Sequence, residues 1–337
     1  MTETISRLLR TVSLIGLALV CTSALHADIS VTLSPSPTGP QPVGTIITWT
    51  ATVQDSEQGP HEYRFSIGPD NGSLAIVRDF GQANTMQWAF SKTEGTYKVK
   101  VLVNNTSNGT SAKASEKFVV TSRRINGVDV ITPTMHPLVA LFSGPACARG
   151  NFVRVRFNQT GSSVSQTTNS IPCSPTNSAN FYIAGMYPST QYEMRHETLT
   201  STGMIVQTGK TYTFTTGSIP AGVTFPDYTV LIPAQPPSSM TAPILLDDFI
   251  TSGALITATD LSGNVVWYYP HPVGELSRTE IGGSFFVTNS KSTNLYNNTF
   301  QEIDLAGNIT LQTNNVVVGC RHKNHHLHSC FIINLGL

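Results

Sequence analysis

From residue 28 onward, apolar and polar positions alternate in short stretches, and no long stretch carries an apolar stripe at the 3.6-residue helical period. Residues 46–53, with Ile46, Trp49 and Val53, read as a strand; so do 63–67, 86–90 and 97–103. The pattern resumes at 212–217, then at 228–232, 253–259, 265–269, 283–288 and 299–304, with Gly, Pro, Asn and Asp between the runs. The pattern predicts an all-β chain. One phrase occurs twice: Asp260-Leu261-Ser262-Gly263-Asn264-Val265 returns as Asp304-Leu305-Ala306-Gly307-Asn308-Ile309, 44 residues later. Each copy reads as a hairpin, in which a strand ends, a Gly-Asn turn follows and a β-branched strand begins.

The spacing of strands and turns divides the chain. Residues 28–121 are expected to form an immunoglobulin-like β-sandwich, with Trp49 and Trp88 filling the space between its sheets. Residues 122–218 read as a second sandwich. Within it, Met186-Tyr187-Pro188-Ser189-Thr190-Gln191-Tyr192 resembles the corner of a fibronectin type III domain, where a tyrosine (here Tyr192) bonds back to the backbone. Residues 219–227 are a Pro/Gly linker. The repeat that follows has the period of roughly 40–45 residues that one four-stranded propeller blade needs. Residues 228–337 are therefore expected to be the first two blades of an incomplete β-propeller, followed by an irregular tail. Two open blades predict an unpaired edge, an exposed apolar face and protease sensitivity after Phe225.

The first 27 residues break this picture. Arg7 and Arg10 precede an apolar run from Val12 to Val20, and the small residues Thr22, Ser23, Ala24 and Ala27 follow. That is the layout of a secretory signal peptide, too short to span a bilayer. Cys21 offers a lipoprotein alternative, but Ala18-Leu19-Val20 lacks the small residue expected just before a lipidated cysteine. No other segment is long and apolar enough to be transmembrane, so an exported protein, periplasmic or extracellular, is expected. Export makes disulfides legible, and Cys147 and Cys173 flank two strands of one sandwich and are expected to pair. Charged residues are 12% of the 337, with 20 basic and 20 acidic side chains, so no basic stripe points to nucleic acid.

The order of sandwich, Thr215-Thr216-Gly217, linker and Asp260-Leu261-Ser262-Gly263-Asn264-Val265-Val266-Trp267-Tyr268-Tyr269 resembles secreted bacterial aryl sulfotransferases. Gln301-Glu302-Ile303-Asp304-Leu305-Ala306-Gly307-Asn308 resembles them too. The resemblance covers about residues 125–310 and is best from 255 to 310. It implies the early blades of a six-bladed propeller, small aromatic sulfate and phenol substrates, and no nucleotide donor or other cofactor. A channel histidine would take the sulfuryl group as a sulfohistidine. In this family a His-His pair followed by an acid comes after the second turn. The sequence offers His325-His326, with Leu327 in place of the acid, so His326 or His325 maps onto a channel histidine. The nucleophilic histidine of later blades has no counterpart, and the chain is expected to be a truncated, inactive form.

Other readings compete at several positions. His322, His325, His326 and His328 with Cys320 and Cys330 are ligand types for zinc or copper, but no hairpin or helix frames them, and no metal site is expected. A solvated tail is the plainer reading. His271, between Pro270 and Pro272, is expected to be an exposed loop residue. Asp260 and Asp304 are expected to form turns rather than act as acids, and Trp267 to pack a blade. The alternative to the enzyme reading is an exported, adhesion-type pair of β-sandwiches that binds without catalysis.

Overall fold

The computed structural model describes residues 28–231, 244–247, 255–271, 275–280, 283–289, 294–314 and 316. The expected leader (1–27), Cys320, Cys330 and the histidines from His322 to His328 lie outside them. Every named element among the described residues is a strand apart from a single 3-10 turn at Leu295–Asn297.

The first sandwich uses eight strands: β1 (Ile29–Ser36), β2 (Gln41–Pro42), β3 (Ile46–Asp55), β4 (His61–Pro69), β5 (Ala75–Gly81), β6 (Thr85–Ala89), β7 (Gly95–Asn105) and β8 (Ser111–Thr121). One sheet runs β1-β3-β6, and the other begins β2-β8-β7-β4-β5. Alternation sets the faces: on β7, Val99, Val101 and Val103 point in, while Lys98 and Lys100 point away. Trp49 is fully buried, edge-on to Phe118 at 5.5 Å, whereas Trp88 packs only at the rim. Burying each such large apolar side chain contributes roughly 1.5–3 kcal/mol.

The second sandwich follows: β9 (Val130–Pro133), β10 (Ala140–Gly144), β11 (Phe152–Gln159), β12 (Gln166–Thr167), β13 (Ile171–Pro172), β14 (Ala179–Ile183), β15 (Gln191–Leu199), β16 (Ile205–Thr208) and β17 (Tyr212–Thr215). Its sheets are β14-β10-β9 and β12-β11-β15-β16, with β13 on β11 and β17 on β15. Three strands against a second sheet joined by hairpins is the fibronectin type III arrangement. The Tyr192 hydroxyl accepts the Tyr187 amide at 2.8 Å, which closes the corner expected from the sequence. Cys147 and Cys173 form a disulfide across 26 residues.

Beyond the linker, β18 (Ile244–Asp247), β19 (Thr257–Asp260) and β20 (Val265–Tyr268) form one sheet. The strands β21 (Glu275–Glu280), β22 (Ser284–Asn289), β23 (Thr299–Asp304) and β24 (Ile309–Asn314) form an antiparallel meander. Two expectations need correction. Residues 228–231 form no strand: Tyr228 lies across the first turn instead, with its Cβ where a side chain on Gly263 would stand, at 3.1 Å. Nor is the repeat left as open as two free blades would be. The β24 strand runs beside β5 of the first sandwich, in parallel, through the Gln312–Arg78 pair. Val139 of the second sandwich is buried with Trp267, Val287 and Ile303, and Tyr182, Ala184 and Tyr187 pack on the same cluster. A long apolar face is costly in water, and here the sandwiches cover it.

Candidate functional site at the paired turns

The two copies of the repeated phrase fold alike. In the first turn the Asp260 Oδ1 accepts the amides of Ser262 (2.8 Å) and Asn264 (2.9 Å). In the second, the Asp304 Oδ1 accepts those of Ala306 and Asn308, both at 2.9 Å. The Asn side chain returns to the carboxylate in both, at 3.0 Å from Asn264 and 2.9 Å from Asn308. Gly263 and Gly307 both have φ of 82°, which a side chain would strain. Aspartate suits the position because one carboxylate satisfies several amide donors that no ladder reaches.

Each turn is bonded to the second sandwich by a tyrosine. The Tyr187 hydroxyl donates to Asp260 Oδ2 at 2.7 Å, and the Asn308 amide donates to the Tyr182 hydroxyl at 3.2 Å. Trp267 ties the copies together, since its indole N–H donates to the Leu305 carbonyl at 2.7 Å. His136 completes the junction. Its Nδ1 accepts the Leu138 amide at 3.0 Å, so its Nε2 carries the proton and donates to the Tyr268 carbonyl at 2.7 Å. The ring lies parallel to the Trp267 indole, 5.8 Å away.

The electrostatics of the two aspartates differ. Burial works against the Asp260 carboxylate, but hydrogen bonds from Asn264, Tyr187 and the turn amides outweigh it, and its pKa falls below the ordinary value. Asp304 lies deeper, burial dominates there, and its pKa rises in spite of equivalent bonds. The hydrogen bond to Asp260 pushes the Tyr187 hydroxyl up to about 12. Burial pulls His136 down to about 4, which keeps it neutral at pH 7.

The first sandwich holds the other side of the second repeat. Arg78 donates to the Ile309 carbonyl at 2.8 Å, and Asn314 donates to the Phe80 carbonyl at 2.6 Å. Desolvation brings the Arg78 guanidinium down to about 10. All three units meet at a cleft of about 30 Å³ lined by Gly44, Arg123, Thr134, Tyr182, Ala306 and Asn308, among others. Small-molecule sites are usually about 300–1,000 Å³, so this cleft takes no aryl sulfate.

Of the residues singled out in the sequence, Asp260 and Asp304 form turns and Trp267 is buried in the packing. His271 is exposed, its ring 5.3 Å from Tyr269. His325 and His326 lie outside the described residues, among which no group of three His, Cys, Asp or Glu is placed to hold a metal. His136 and Tyr182 carry no local signal beyond the Pro133 and Pro137 that flank the histidine's loop. Sequence reasoning also passed over a buried pair in the second sandwich, His196 Nδ1 to Asp129 Oδ2 at 2.7 Å.

No protein-family model matches the chain, and no curated protein matches it. Among solved structures, the first three fibronectin type III domains of chicken CNTN1 are similar at 11% identity over 55% of this chain and 65% of that one, with a TM-score of 0.23. A two-domain fibronectin type III segment of chicken tenascin is similar at 10% identity over 56% of this chain and 98% of that one, with a TM-score of 0.22. Scores this low carry no argument, and the class rests on the chain's own strand order and Tyr192 corner. That class is an all-β protein with immunoglobulin-like and fibronectin type III-like sandwiches. Among the described residues no helix is long and apolar enough to cross a membrane.

Proposed function

We propose that this chain is the N-terminal portion of an exported aryl sulfotransferase, in which the two sandwiches form a platform for the first blades of a propeller. The observation that carries the reading is that the 44-residue sequence repeat is also a repeat of geometry, with twin Asp-clamped hairpins at Asp260 and Asp304. A repeat of geometry at a blade-like period supports a blade phrase. In the proposed reaction a neutral imidazole nitrogen attacks the sulfur of an aryl sulfate, the S–O bond to the ring breaks, and the phenolate leaves. A second phenol then loses its proton, its oxygen attacks the same sulfur, and the N–S bond breaks to return the histidine. His325 and His326 are the nearest candidates for a channel role, and the nucleophile is assigned to later blades.

Two measurements test this. Reading the gene through the codons for Gly319–Leu337 and several hundred bases beyond is expected to reveal further Asp-x-x-Gly turns at similar spacing, with added His and Arg codons. A region without repeats would sink the enzyme reading. The 337-residue chain itself is expected to release no 4-nitrophenol from 4-nitrophenyl sulfate with added phenol; sustained phenol-dependent turnover would refute placement of the nucleophile in later blades.

One observation favours a second reading, a non-catalytic binding module. Each sandwich has a core of its own, around Trp49 and Phe65 in one and around Phe142 and Met194 in the other. That reading predicts that residues 28–218 alone fold and retain whatever surface binding the full chain has.

A further inference from the structure

We infer that the segment Ser218–Thr224 is a proteolytic processing site for an endoprotease that accepts small side chains, and that the cut chain stays assembled as two fragments. The site is defined by what holds the chain on either side. Upstream, Gly217 is fixed to the second sandwich: its amide donates to the Pro137 carbonyl at 2.9 Å, and its carbonyl accepts the Ser189 amide at 3.0 Å. Downstream, the Phe225 ring meets Tyr268 edge-on at 5.3 Å, and Tyr228 lies across Gly263. Residues 225–228 thus run along the β19–β20 hairpin in the direction opposite to β20. Between these anchors Ser218, Pro220, Ala221, Gly222 and Thr224 are exposed and belong to no strand. Among the described residues, the only backbone hydrogen bond within the segment runs from the Val223 amide to the Pro220 carbonyl, at 3.2 Å.

A protease must draw its substrate out in extended form, and a segment outside any ladder yields to that at little cost. Other exposed tips are closed by their own bonds and flanked by paired strands. The Gly109 amide bonds the Asn105 carbonyl between β7 and β8, and the Ser162 amide bonds the Gln159 carbonyl between β11 and β12. The residue types then select the protease. No Lys or Arg occurs from Thr211 through Ser277, so an enzyme that needs a basic side chain has nothing to cut there. Ala221 is small and exposed, and Gly222 follows it, so the assigned bond is Ala221–Gly222. Hydrolysis adds one water across that peptide bond and leaves a carboxylate on Ala221 and an amino group on Gly222.

What keeps the fragments together lies elsewhere. The bonds from Tyr187 to Asp260, from His136 to the Tyr268 carbonyl and from Arg78 to the Ile309 carbonyl all cross from one fragment to the other. Val139 of the upstream fragment is buried with Trp267, Val287 and Ile303 of the downstream one. Pulling the fragments apart would return that apolar surface to water. None of these contacts passes through Ser218–Thr224, so the cut changes the connectivity of the chain and leaves its packing in place.

The test is limited digestion of the full chain with pancreatic elastase, which cuts after small residues, followed by mass spectrometry and gel filtration. The expected first cut falls within Ser218–Thr224, and Ala221→Pro slows it. The two fragments are expected to elute together at the position of the intact chain and to separate only in guanidinium. A first cut elsewhere, with Ser218–Thr224 intact, overturns the site. Ala221→Arg places a basic side chain at the same exposed position, so trypsin should cut that variant there and leave the wild-type linker whole. Resistance of that bond to trypsin would show that the segment does not yield to a protease and would overturn the site independently of what elastase prefers. Fragments that elute apart without denaturant would overturn the assembled two-fragment form.

Discussion

Asp260 and Asp304 hold the same turn with the same bonds, yet their carboxylates respond in opposite directions. Asp260 is pulled below the ordinary carboxylate range, because its hydrogen bonds outweigh a modest desolvation. Asp304 is raised, because it lies against Tyr182 and the second sandwich, where burial outweighs the same bonds. Local sequence therefore sets the turn's geometry, and the surroundings set its electrostatics. The second turn is wedged between both sandwiches, whereas the first is held by Tyr187, with Tyr228 lying across it. The comparison leads to four tests.

The largest effect comes from removing what both turns rest on. The Cys147→Ser, Cys173→Ser double substitution frees a loop of 26 residues and is expected to cost about 3 kcal/mol by chain entropy. Because both tyrosine contacts come from this sandwich, denaturant unfolding should show both repeats lost in the same transition. Separate transitions would break the link.

Acid is expected to separate the turns. His136 titrates at about 4 in the folded protein against an ordinary 6.5, so the unfolded chain binds the proton first. Stability falls as pH drops from 6.5 to about 4 and levels off below, by roughly 3 kcal/mol in all. The lowered pKa of Asp260 adds a loss below 3.8, while the raised pKa of Asp304 acts in the opposite sense, since the folded form takes that proton more readily. The β19–β20 hairpin, whose Trp267 and Tyr268 pack against His136, should loosen first. A Tm series from pH 7 to pH 4 that is equally steep for wild type and His136→Gln would contradict this.

Truncation to alanine should rank the turns by burial. Asp304→Ala leaves several turn amides unpaired in a buried place and is expected to cost about 3 kcal/mol, against about 1.5 for Asp260→Ala. Asparagine should invert the order. It keeps one acceptor oxygen and removes the charge, so it is expected to cost under about 1 kcal/mol at Asp304 and about 1–2 at Asp260. Urea midpoints of the four variants decide the matter, and the same ranking in both series would mean that the two environments do not differ.

The turns themselves were legible in the sequence because they are local. Asp, Gly and Asn at fixed offsets specify a hairpin without help from the rest of the chain, and Tyr192 specified its corner in the same way. Most predicted strands fall where alternation placed them; the one expected over 253–259 begins only at Thr257 among the described residues, and at 228–231 Tyr228 packs across Gly263 instead of entering a ladder. The junction was not legible. The Arg78–Ile309 bond joins residues 231 apart in sequence, and the His136–Tyr268 bond joins residues 132 apart. Nothing local to any of the four residues marks such contacts. For the same reason an open apolar face was expected where Val139, Tyr182 and Tyr187 in fact lie.

The account stands most directly on the claim that the sandwiches and the repeat pack as one body. Amide hydrogen exchange of the full chain, read by mass spectrometry, tests it. The account predicts that peptides spanning 257–268 and 299–314 exchange nearly as slowly as the sandwich strands β11 and β15. Fast exchange across both turns, with the sandwich strands still protected, would contradict it.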